Sequence, residues 1–230
     1  MEWRDALESW ISSIRDPSKV QEEVLRRLTS LYSKSEYGKG AEAVKSISDY
    51  RRRFRAIRWA NVIPLITRVL KGEYGALLSE PPVEFGVTSG TSGPPKLIPI
   101  TRTDISTRIG VMIRGMAMYA SRWGDPESLR GPCLSIYLPG RVGFLEVGGR
   151  SVPYGYISGI IARHLSEALG FELIPSPEDV DSIGPGVSRR DWEERFELTY
   201  RELKGSEVRM ASGSPIPLLM FSDYLRRKHG

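Results

Sequence analysis

Apolar residues in the first part of the chain recur at helical spacing. Over residues 17–31, Val20, Val24, Leu25, Leu28 and Leu31 fall on one face. Asp16 stands where an N-cap is wanted, and Pro17 fits the first helical position. The pattern breaks over 35–40. A short helix is predicted from Ser48, and another over 62–70 closed by Gly72. The character then changes. Residues 83–87 read as a strand and 96–100 as a second extended run. A long helix over 103–123 follows, with Ile105, Ile109, Met112, Met116 and Tyr119 on its apolar face and Gly124 ending it.

Beyond that helix, strands and helices alternate. A strand over 134–138 and a Gly-rich turn lead to a helix over 157–169. A strand over 171–174 and a loop precede a helix over 189–203, which opens at Ser188 with a capping-box start. A strand over 207–210 and a helix over 218–227 complete the chain. This alternation predicts an α/β fold, a mainly parallel sheet flanked by helices, with a helical segment before it. Gly75 and the Pro81-Pro82 pair place the internal boundary there. The expected division is a helical segment over 1–80, packed on an α/β unit over 81–230.

Composition adds bounds rather than chemistry. The chain has 230 residues, 40% of them hydrophobic, enough for one sizeable core with a helical cap. A formal charge of +5 suits an anionic ligand, but it says little by itself. Cys133, the one cysteine, sits in an apolar run and reads as a buried strand residue. No internal disulfide and no Cys/His metal cluster can be built, so no metal ligands are assigned. No apolar run approaches a membrane span, and the start lacks a signal core. A cytoplasmic location is expected.

The stretch with recognisable chemistry follows the first predicted strand. It reads Thr88-Ser89-Gly90-Thr91-Ser92-Gly93-Pro94-Pro95-Lys96. The glycines let backbone N–H groups approach an anion closely. The four hydroxyls can donate to phosphate oxygens, and Lys96 can add a charge-assisted bond. Pro94 and Pro95 stiffen the exit. A loop after a strand is where open α/β sheets put their ligands. Gly-Lys-Ser/Thr is absent, so this is not a P-loop, and it is not a dinucleotide fingerprint.

The run Phe85-Gly86-Val87-Thr88-Ser89-Gly90-Thr91-Ser92-Gly93-Pro94-Pro95-Lys96-Leu97-Ile98-Pro99 resembles the phosphate-loop signature of adenylate-forming enzymes. It is most similar to the auxin-responsive, auxin-amido synthetase-like family of acyl-acid amido synthetases, with phenylacetate-CoA ligases further off. The likeness extends to Gln21-Glu22-Glu23-Val24-Leu25, Ser35-Glu36-Tyr37-Gly38, Ile47-Ser48-Asp49-Tyr50-Arg51-Arg52 and Leu70-Lys71-Gly72-Glu73. It is weaker at Ala211-Ser212-Gly213-Ser214-Pro215.

The resemblance implies a ligase that activates a carboxylic acid with ATP. An acyl-adenylate and pyrophosphate form, and an amine or thiol then displaces AMP. It implies cofactor contacts from Thr88, Ser89, Gly90, Thr91, Ser92, Gly93 and Lys96, with Mg2+ carried by the nucleotide phosphates. It names no catalytic residue. It also implies that only the N-terminal portion of the family's fold is present, truncated before the adenine and metal motifs. A second polypeptide would then supply the remainder. The alternative is a non-catalytic remnant acting as an interaction module or a subunit of a split ligase.

Other candidates read more plainly. Arg51, Arg52, Arg53, Arg55 and Arg58, interleaved with Tyr50, Phe54 and Trp59, form a solvated basic helix face, so nucleic acid is not an expected partner. His164 reads as a mid-helix residue, and His229 as part of a loose terminus. Tyr200-Arg201-Glu202 belongs to a helix face. Tyr154 and Tyr156 are candidates for lining an acyl pocket.

Overall fold

A computed structural model of the protein describes residues 3–88, 94–123, 131–170 and 172–230. Ser89, Gly90, Thr91, Ser92 and Gly93, which the sequence assigned to phosphate binding, lie outside the described residues. So do Gly124 and Phe171, the expected helix end and strand start.

Helices come first. α1 (Trp3–Arg15) is followed by α2 (Pro17–Tyr32), α3 (Ile47–Arg53) and α4 (Trp59–Leu70). α2 begins as expected: the Asp16 carboxylate accepts the Lys19 N–H, with Pro17 in the first turn. α1 was not singled out from the sequence. It packs on α5 (Arg102–Trp123), where the Arg114 guanidinium stands 5.7 Å over the Trp10 ring. The basic cluster behaves as a solvated face: Arg52 pairs with Asp49, and the Arg53 guanidinium donates to the Lys39 carbonyl. Phe54 packs among Tyr32, Tyr37 and Tyr50.

Two sheets follow, and the α/β class expected from the sequence is what forms. The four-stranded sheet has the order β2 (Leu97–Ile100), β1 (Glu84–Val87), β5 (Arg150–Tyr156), β4 (Gly143–Val147). The three-stranded sheet has the order β6 (Leu173–Ile174), β3 (Cys133–Ile136), β7 (Met210–Gly213). The pairings of β1 with β5, and of β3 with β6 and β7, are parallel. β1–β2 and β4–β5 are antiparallel.

Helices cover both faces of each sheet. α4 closes one face of the four-stranded sheet, where Val69 meets Phe85, Val147 and Val152. On the other face Ile100 of β2 and Ile105 of α5 meet Ile160 of α6 (Ile157–Leu169). α6 is shared, because Ala162 packs on the second sheet against Cys133, Tyr137, Leu173 and Val180. Val180 belongs to α7 (Pro177–Ile183). The far face of that sheet is sealed by Ile136 against Phe196 of α8 (Arg189–Leu203) and Phe221 and Tyr224 of α9 (Pro215–Lys228). β3 therefore buries both faces, as a central parallel strand should.

The β4–β5 hairpin and α7 are additions to the sequence reading, which held only a turn and a loop there. Gly148 and Gly149, at φ +55° and +76°, form the two-residue connection that twisted hairpins favour. Gly143, Pro153 and Gly155 mask the strand signal of this hairpin. β7 lies later than the expected 207–210, because its register is set by β3, with Met210 beside Cys133 and Gly213 beside Ile136. Pairing with a buried neighbour outweighs the poor strand propensity of Ser212 and Gly213.

The sheets meet through backbone contact. A Cβ on Gly155 would lie 2.0 Å from the Gly140 carbonyl oxygen, and one on Gly159 would lie 2.1 Å from that of Leu138. The connection after β3 thus lies directly on β5 and the first turn of α6, and the Tyr156 N–H donates to the Pro139 carbonyl at 2.8 Å. No helix among the described residues is long and apolar enough to cross a membrane.

Candidate functional site

Thr88 and Lys96 form the base of the hydroxyl-rich loop. The Thr88 N–H donates to the Lys96 carbonyl at 3.1 Å, and the Lys96 N–H donates to Thr88 Oγ1 at 3.0 Å. These bonds carry the β1–β2 ladder one step past Val87 and Leu97. The Thr88 oxygen is engaged as an acceptor, and its O–H proton stays free to donate. The Lys96 ammonium stands 5.6 Å over the Trp59 ring of α4.

Thr88 opens on a cavity of about 680 Å³ between the two sheets. It lies at the carboxyl ends of β1, β5, β3 and β7 and at the start of α6, where α/β sheets place ligands. The wall is mostly apolar, with Met112, Ile161, Leu165 and Trp192 among its residues. Hydroxyls interrupt it: Thr88, Ser135, Ser158, Ser212 and Ser214, with the phenols Tyr137 and Tyr156. Among the described residues, none that lines it is charged. A ligand's neutral body therefore fits inside, while an anionic group is better placed at the loop.

Two lining groups are held in their protonated forms. Burial pushes the Cys133 thiol up, so Cys133 is a wall residue rather than a nucleophile. Burial also pushes the Tyr137 phenol up, helped by Asp181 and Glu178, and its O–H donates to the Pro175 carbonyl at 2.9 Å.

The structure separates the residues that the sequence grouped together. Tyr156 lines the cavity, and its hydroxyl donates to the Pro185 carbonyl at 3.2 Å. Tyr154 packs instead on the Phe85 and Val69 cluster. Thr88 faces the cavity, while Lys96 is not part of its lining. Ser212, Gly213 and Ser214, from the stretch of weaker resemblance, are part of the wall. Tyr200 and Glu202 lie within α8, as read. His229 is tethered, stacked 3.7 Å from the Tyr200 ring with Nε2 3.0 Å from Glu197 Oε2.

One cluster escaped the sequence entirely. Glu84 on β1 is only 5% exposed, and charged side chains rarely sit so deep without partners. Its Oε2 accepts from Arg163 Nη2 at 2.6 Å, and its Oε1 lies 2.5 Å from His164 Nε2. Burial pushes the Glu84 carboxyl up, but the His164 hydrogen bond and the Arg163 charge outweigh it, so it lies below the ordinary range. The apolar neighbours of Arg163 and His164 pointed to helix packing, and no sequence signal joined them to a residue 79 or 80 positions earlier. Among the described residues no group of His, Cys, Asp and Glu can hold a metal ion.

The architecture is that of an α/β protein with a mostly apolar cavity at its strand ends, lined in part by Thr88. A family model, the GH3 family N-terminal domain, matches residues 6–184. This chain belongs to that family. Its fold is similar to that of AtGH3.15 acyl acid amido synthetase in complex with 2,4-DB, with a TM-score of 0.70 and 17% identity, covering 98% of this chain and 38% of that one. It is likewise similar to a second solved structure, GH3.15 acyl acid amido synthetase, with a TM-score of 0.68 and 16% identity, covering 96% of this chain and 38% of that one. At such identities the likeness is one of fold. The chain thus spans well under half the length of these solved relatives. No curated protein matches it.

Proposed function

We propose that the chain supplies the phosphate grip and part of the acyl pocket of an ATP-dependent ligase that joins a carboxylic acid to an amine or thiol. The observation that carries this reading is the position of Thr88. It stands at the base of a loop rich in hydroxyls and glycines, at the mouth of a mostly apolar cavity at the strand ends. Family membership and the solved relatives named as acyl acid amido synthetases support it. The helical segment over 1–80 serves as a brace on the α/β unit over 81–230.

In the proposed reaction a carboxylate oxygen attacks the α-phosphorus of ATP. Its bond to the bridging oxygen breaks, and pyrophosphate leaves with the electron pair. The amine or thiol then attacks the acyl carbon, loses a proton, and AMP departs. The contribution of this chain is placement and charge stabilisation. Thr88 and the residues Ser89 to Gly93 present hydroxyls and backbone N–H groups to the phosphates, which bring Mg2+ with them. The Lys96 ammonium must leave the Trp59 face to reach a phosphate, giving up about 0.5–1 kcal/mol. The complete reaction is assigned to the longer fold of the relatives, whether continuous with this chain or supplied by a second polypeptide, acting in the cytoplasm.

Calorimetric titration with ATP–Mg2+ and with AMP tests the reading. Binding should weaken in Ser89→Ala and in Lys96→Ala. Unchanged affinity in both variants would remove the loop assignment.

A second reading has its own observation. Ile216 and Leu219 on α9 are 67% and 66% exposed, with Met220 beside them also exposed. Such a patch suits a non-catalytic interaction module. Sedimentation over a range of concentrations separates the two: a stable oligomer indifferent to nucleotide favours the module.

A further inference from the structure

We propose that Glu84, Arg163 and His164 are positioning residues for the phosphate loop, locking β1 onto α6 so that Thr88 is held at the cavity mouth. The functional consequence rests on the nucleotide reading above, whereas the mechanical claim does not.

Side chains alternate along a strand, so Glu84, Gly86 and Thr88 project to one face of β1. All three meet α6. Glu84 engages Arg163 and His164 in the middle of that helix. A Cβ on Gly86 would lie 2.5 Å from Ile157 Cγ1, so β1 rests directly on the first turn of α6. Thr88 shares the cavity wall with Ser158 and Ile161. Because β5 runs parallel to β1 and α6 turns back from its end, the order is reversed: the clamp grips one end of β1 and the loop leaves the other.

The clamp fixes both slide and rotation. Each carboxylate oxygen of Glu84 has its own partner, from two adjacent residues of one helix. Adjacent helical residues point in different directions, so only one rotation of α6 satisfies both oxygens. A shift in either sense strands a buried charge. Glu167 backs the arrangement from the solvent side, with Oε2 3.5 Å from His164 Nδ1 and Oε1 3.8 Å from Arg163 Nη1. Buried ion pairs add little net stability over apolar packing, whereas parting one leaves an uncompensated buried charge. A device of this kind suits a strand whose end must be held in place.

The test is amide hydrogen exchange on the whole chain, read at Thr88 and Lys96, whose N–H groups close the base of the loop. Glu84→Gln and His164→Leu should speed exchange at these two amides by about tenfold, while β3 and β7 amides stay at the wild-type rate. His164→Gln, which keeps a donor near Nε2, should restore slow exchange. ATP–Mg2+ affinity should fall in the first two variants and recover in the third. Wild-type exchange at Thr88 in both Glu84→Gln and His164→Leu overturns the proposal. So does a uniform rise that includes β3 and β7, since that marks general loosening. If Glu84→Gln does not fold, the two His164 variants decide the matter at the same amides. A wild-type chain indifferent to ATP–Mg2+ removes the nucleotide reading, and the exchange result still decides the clamp.

Discussion

Thr88 accepts the Lys96 N–H through its side-chain oxygen at 3.0 Å, so one hydroxyl both closes the loop's base and faces the cavity. A residue with two tasks can be probed by separating them. Thr88→Val keeps the shape but strands the Lys96 N–H, at a cost of about 1–3 kcal/mol. Thermal melting should show the loss. Thr88→Ser should melt close to wild type. Equal melting of Thr88→Val and wild type would mean that the bond contributes nothing.

Acid should weaken the fold partly through Glu84. Its carboxyl lies below the ordinary range in the folded chain, so the unfolded chain binds that proton more readily. The stabilisation is complete above the unfolded carboxylate value and is lost as pH falls through the lower, folded one. Between about pH 5 and about pH 3 the wild type should lose more melting temperature than Glu84→Gln. Other carboxylates held low, such as Asp49 and Asp191, contribute equally to both proteins, so the difference reports Glu84. Parallel acid profiles would contradict this account.

Phe85 points away from Glu84 into the α4 face, where it is fully buried with Val69, Val147 and Val152. Phe85→Ala removes that packing and should cost about 3–5 kcal/mol in denaturant unfolding. Phe144, on the same hairpin as Val152, is exposed, and Phe144→Ala should change stability by less than about 0.5 kcal/mol.

The contact between the sheets leaves no room for a methyl group. Gly159→Ala would place a Cβ 2.1 Å from the Leu138 carbonyl oxygen, a backbone atom that cannot swing aside. The expected cost is about 3 kcal/mol or more. Gly75→Ala is the matched control, since nothing lies within 4 Å of its added Cβ. If both variants unfold at the same denaturant concentration, the sheets are not joined as described.

Local chemistry made much of the fold legible in advance. The 3.6-residue recurrence of Val20, Val24, Leu25, Leu28 and Leu31 marked α2, and the caps Asp16 and Ser188 gave helix starts within the chain's own first turns. Strand–helix alternation indicated the α/β class, because each sheet face needs helices to cover it. The composition of the stretch from Thr88 to Lys96 could be read as well, because a run of hydroxyls and glycines involves only neighbours along the chain.

Long-range placement could not be read in the same way. The hairpin of β4 and β5 hides behind Gly143, Pro153 and Gly155, which are tolerated because neighbouring strands and the Gly140 turn press against them. The partners of Glu84 lie on another element, and only the return of α6 across β1 brings them together. Tyr154 and Tyr156 are two positions apart and share a strand face, yet only Tyr156 reaches the cavity, at the strand end where the chain turns into α6. Periodicity, caps and loop composition depend on neighbours along the chain, so the sequence determined them by itself. Which face meets which helix, and hence the cavity and the clamp, depends on how whole elements stack, and only the tertiary structure decided that.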